Sequence, residues 1–210
     1  MTVVERGLAF ALALYANGAL VAAEADSAAI YAGEGERYFR QGEFKKAARE
    51  WEQAVKARAG NPDYWDLLGR AYERQAELSS FPFRLTAKAR TSFVRALELR
   101  PDHPGALADL IELETQPIGL CEGSLDQVAP LVERLGAVNP EAALRARDAL
   151  SDARRNAARP GQRSLCGPVK LSRAVMDRIL RSPAVPKQME KRPAETEISA
   201  SAPGQLQGSK

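Results

Sequence analysis

Gly35 and Gly69 stand 34 residues apart, and the same neighbours surround each. Tyr31, Gly35 and Tyr38 at the first site answer to Trp65, Gly69 and Tyr72 at the second. Downstream, Ala47, Trp51 and Ala54 recur as Ala89, Phe93 and Ala96, and Pro101 closes the second unit. A large residue, a glycine and a tyrosine on one helix, then Ala-x3-aromatic-x2-Ala on the next, predict two helices packed small against large. A unit repeated at a fixed period predicts a solenoid, in which helix pairs bury their apolar faces on one another.

These residues and this period resemble the tetratricopeptide repeat (TPR) family, over about residues 28–113. The resemblance implies an all-α fold: a short helical solenoid of two clear repeats and a degenerate third, then a helical hairpin and a C-terminal helix. It also implies a non-catalytic scaffold or adaptor that binds a protein or peptide, and it calls for no cofactor. Family residues that line the concave groove fall on Glu36 and Arg40 in the first repeat and on Asp66, Arg70 and Arg74 in the second. On that reading the arginines grip carboxylates or a chain terminus.

The first repeat is predicted to place helices from Ala28 to Gln41 and from Glu43 to Arg58, parted by Gly42. The second should run from Pro62 to Leu78 and from about Leu85 to Leu99. Eight residues are inserted between Tyr72 and Ala89, and Ser79–Phe83 is the expected place for them. Phe81 and Phe83 are expected to fold back onto the adjacent helices, the other reading being an exposed contact for a partner. Pro101-Asp102-His103-Pro104 opens a third unit carrying Leu107, Leu110, Ile111 and Leu113. His103, the only histidine, is expected to be a solvated loop residue. Leu125 to Leu135 and Pro140 to Arg159 form a hairpin joined through Gly136–Asn139. Ser124 and Gln127 suggest a capping box, and Asn139 a cap for the next helix. A last amphipathic helix is expected from Lys170 to Arg181.

Charge is uneven along the chain. Residues 24–138 carry 15 Lys/Arg against 19 Asp/Glu, and residues 139–192 carry 13 against 5. Without aromatics in that basic stretch, stacking on bases is not available, so no nucleic-acid partner is expected. The alternative to an adaptor is a structural envelope component that self-associates or touches anionic surfaces through this basic end.

The N-terminus reads as an export signal. Leu8 to Ala23 is uncharged and apolar, Arg6 precedes it, and small residues suited to cleavage stand near Ala23 and Ala25. The run is short for a permanent membrane span; a retained anchor or an amphipathic first helix are the other readings. The expected organisation is a signal peptide over 1–25, repeats over 28–116, a helical extension over 117–182 and a disordered tail over 183–210, in a bacterial periplasmic or secreted protein. Cys121 and Cys166, the only cysteines, flank the helical hairpin, which returns the chain to its starting end. In an oxidising compartment they are expected to form a disulfide. No C-x-x-C, Gly-rich phosphate loop, G-x-S-x-G or H-E-x-x-H occurs; zinc would need more Cys or His ligands than the chain has, and nothing positions His103 to assist a serine or cysteine nucleophile. No enzyme is indicated.

Overall fold

The computed structural model describes residues 27–116, 121–123, 125–157, 166–169 and 171–181. The expected signal over 1–25 and the expected tail over 183–210 lie outside these residues. The described residues form eight helices and two short strands: α1 (27–40), α2 (Phe44–Ala57), α3 (Pro62–Glu77), α4 (Phe83–Leu99), α5 (Pro104–Thr115), β1 (Cys121–Gly123), α6 (Leu125–Val138), α7 (Pro140–Ala157), β2 (Cys166–Val169) and α8 (Arg173–Arg181). No described helix is long and apolar enough to cross a membrane.

Local chemistry sets the helix ends. Gly42 adopts φ 76°, a left-handed conformation that ordinary side chains avoid. It lets the Glu43 N–H reach back to the Tyr38 carbonyl at 2.9 Å and reverse the chain between α1 and α2. Asn61 caps α3 by accepting the Asp63 N–H at 2.9 Å, with Pro62 in the first turn where no N–H is needed. Trp65 donates to the Ala59 carbonyl at 2.8 Å and ties the linker to the second repeat.

Within each repeat the two helices touch through a glycine. A Cβ placed on Gly35 would lie 2.8 Å from the Trp51 indole, and one on Gly69 would lie 2.5 Å from the Phe93 ring. Trp51, Phe93, Ala47, Ala54, Ala89 and Ala96 are buried in one continuous core, which runs on through Leu107, Leu110 and Ile111 of α5 into α6 and α7. Tyr38 packs against that core partly buried; Tyr72 is buried within it.

The inserted residues between Tyr72 and Ala89 do not collect in a loop. Counted against the first repeat, three lengthen α3, two the connection and three α4. At 1.5 Å per residue this carries the second hairpin roughly 5 Å further than the first. Phe81 and Phe83 do not fold back: Leu78, Phe81 and Phe83 are 76%, 79% and 43% exposed at its tip.

Beyond the repeats, α5 packs on α6 and α7, and α6 on α7, so α5 and α6 form a third pair that α7 covers. The α6–α7 joint is tighter than the expected Gly136–Asn139 turn. Helix α6 continues to Val138, and Asn139 alone links the two, its side chain accepting the Ala142 N–H at 3.1 Å. Gln127 makes no capping box that is described, Ser124 being outside the described residues. Instead it clamps the backbone of Leu171, donating to its carbonyl at 2.9 Å and accepting its N–H at 2.8 Å. The clamp sets the start of α8, which returns to α4 and α6 and buries Met176 and Ile179. Strands β1 and β2, which periodicity does not signal, pair in parallel, with Cys121 and Cys166 as direct ladder partners.

Candidate functional site

The first helices of the two repeats, α1 and α3, bear the residues expected to line a groove, and α5 is the first helix of the third pair. Glu36 and Arg40 are exposed on α1. On α3, Arg70 and Arg74 are exposed but engaged. Arg70 lies 3.7 Å from the Asp109 carboxylate of α5, with its guanidinium 5.7 Å from the centre of the Phe39 ring. Arg74 pairs with Glu77 one turn on and lies over Phe44. Both therefore bridge elements already, rather than standing open for a carboxylate.

Asp66 departs further from the expected exposed position. It is only 7% exposed, packed over the start of α5 beside Gly105, and its Oδ1 has no hydrogen-bond partner. Two turns along the same stripe of α3 stands Glu73, 9% exposed, whose Oε1 is also without a partner. Burial raises both acids, and Asp109 across the gap raises them further: Asp66 to about 7 and Glu73 to about 8. Asp109 itself is pushed up to about 6, chiefly by burial. Glu73 and Asp109 were not among the expected groove residues. The available signal was the spacing of Asp66, Arg70 and Glu73, which puts them on one face of a helix.

His103 is a structural residue and not a solvated one. It caps α5: Nδ1 accepts the Ala106 N–H at 3.1 Å, and Nε2 lies 3.0 Å from Asp63. Nδ1 therefore carries no proton and Nε2 donates. Burial lowers its pKa, and Arg100 adds to this. With both nitrogens occupied, the ring serves the helix start and activates no nucleophile. No group of three His, Cys, Asp or Glu among the described residues could hold a metal ion.

On the opposite side, a recess of about 430 Å³ opens between α2, α3 and α4, with Val55, Trp65 and Leu68 in its walls. At its rim the Tyr72 hydroxyl donates to Glu52 and accepts from Lys88 at 3.2 Å.

No protein-family model matches the sequence, and no curated protein matches it. Solved structures do match in fold. One is the first TPR of Spaghetti (RPAP3) bound to the HSP90 peptide SRMEEVD, with a TM-score of 0.52 and 18% identity. That match covers 64% of this chain and 98% of the other. The fold is thus TPR-like: a helical solenoid with a C-terminal helical extension.

Proposed function

We propose that the chain is a non-catalytic interaction module that binds a protein or peptide segment along the face of α1, α3 and α5. The observation that carries this is the pair of buried, unpartnered carboxylates facing α5 from α3. Polar groups left unsatisfied in a folded core are costly, and a binding site is where that cost has a use. A TPR-like neighbour that holds a peptide supports the same reading.

Export to a bacterial periplasm or cell envelope belongs to the proposal and rests on the apolar run from Leu8 to Ala23 with its small-residue end. In that compartment Cys121 and Cys166 are joined. Their position as ladder partners supports this, because neighbouring strands bring Cα atoms within disulfide range.

A photo-crosslinker placed at Arg40, on the groove face, and another at Thr91, on α4, separate the surfaces. Capture in the native compartment is expected from Arg40 and not from Thr91. Equal capture at both, or capture that needs only the basic residues after 139, overturns the groove and favours the structural envelope component.

A further inference from the structure

Four carboxylates and one guanidinium face one another between α3 and α5. Asp66, Arg70 and Glu73 share a stripe of α3; Asp109 and Glu112 stand on α5, three residues apart. Only Asp109 reaches Arg70, at 3.7 Å. Glu112 accepts from Gln116. Asp66 and Glu73 are more than nine-tenths buried, and each keeps an oxygen with no donor. Arg74, the next cation along α3, is held by Glu77. The gap is therefore short of positive charge and of hydrogen-bond donors at the same place.

We propose that the gap between α3 and α5 binds a cationic side chain, an arginine or lysine, of an extended basic peptide. The inference rests on the groove reading above and names its partner's chemistry. It reverses the expectation that arginines here grip a carboxylate. A guanidinium supplies several N–H donors in a planar fork, which suits the open oxygens that Asp66 and Glu73 present two turns apart on α3. A metal ion is a poorer occupant, because no three acids converge closely enough to hold one.

The cation and the proton compete for these acids. Around Glu73 stand Asp109 and Glu112 of α5 and Arg70 and Glu77 of α3; around Asp66 stand Asp109, Arg70, Asp63 and Arg100. Acids outnumber cations at Glu73, so protons are held there until a cation displaces them. Binding then releases protons, and affinity rises with pH between about 6 and 8.5, across the range in which Asp66 and Glu73 titrate.

The test uses the full chain and two fluorescein-labelled alanine-based peptides, one carrying arginines and the other glutamates at the same positions. Anisotropy at pH 8 is expected to show the arginine peptide binding at least tenfold tighter, about 1.4 kcal/mol. That preference should shrink at pH 6. The double variant D66N/E73Q should lose both the preference and its pH dependence while melting no lower than the parent. If the glutamate peptide binds as well or better, or if the double variant keeps the arginine preference, the inference is overturned. Capture of an acidic partner through Arg40 would leave the groove reading standing and overturn this one alone.

Discussion

The Phe93 ring occupies the space that a side chain on Gly69 would need, 2.5 Å from the position of a Cβ. The obstacle is a rigid buried ring and not the end of a flexible chain. Gly69→Leu is therefore expected to cost roughly 1–3 kcal/mol by overpacking, and Ala89→Leu a similar amount. Urea denaturation checks this, and a parent-like midpoint for Gly69→Leu would contradict the helix pairing. Gly42→Ala meets open space but retains the positive φ, so its cost is conformational, about 1 kcal/mol.

Arg90 of α4 and Glu114 of α5 form a buried ion pair, with side chains 10% and 5% exposed. Removing one partner leaves the other charge buried alone. Glu114→Ala is expected to destabilise by roughly 3–5 kcal/mol, whereas Arg90→Met with Glu114→Leu should recover most of the loss. A double-mutant cycle by thermal melting reads the difference.

Stability should fall on both sides of a maximum. Asp66 and Glu73 have raised folded-state values of about 7 and 8. The native state holds their protons after the unfolded chain has released them, so stability is lost as pH rises from about 4 through 8. D66N/E73Q should be on the order of 2 kcal/mol more stable than the parent at pH 9 and close to it at pH 4. His103 acts in the opposite sense. Its lowered value means that the unfolded chain takes the proton first, so stability is lost as pH falls through about 6.5. Protonation at Nδ1 also breaks the cap on Ala106. His103→Asn, which keeps a capping acceptor, should flatten that acid-side loss in melts run against pH.

Gln127 holds α8 by two hydrogen bonds to Leu171. Gln127→Ala should speed amide hydrogen exchange in α8 by roughly tenfold while leaving α2 to α4 unchanged. Uniform acceleration across the chain would mean that α8 is integral to the global fold.

For protein isolated from its native compartment, non-reducing peptide mapping is expected to give one linked pair, Cys121 with Cys166. The closed loop stabilises by on the order of 4 kcal/mol in the chain-entropy model. Two thiols that alkylate freely would refute the link.

The repeat helices were legible because their packing needs small and large residues at fixed spacings. Gly35 with Trp51 and Gly69 with Phe93 state the helix pairs almost by themselves. The groove was less legible. Asp66 reads as exposed because polar residues usually are, and the sequence carries no mark that α5 lies over it. His103 looked like loop chemistry because its role depends on an Asp63 forty residues away. Phe81 and Phe83 read as folding back because they are aromatic, and only the lengthened hairpin shows that they stay exposed at its tip. The strands β1 and β2 were beyond periodicity, being three and four residues long and paired across the whole α6–α7 hairpin.

That parallel pairing also limits how such a chain can grow. Repeat arrays lengthen by duplicating a unit, since each unit meets only its neighbours. Here the strand after α7 returns to the one before α6, and α8 comes back to α4, so the C-terminal end is stitched to what precedes it. A duplicated pair inserted there would part both seams. The array is of fixed length at that end, and new units are accommodated only nearer its beginning.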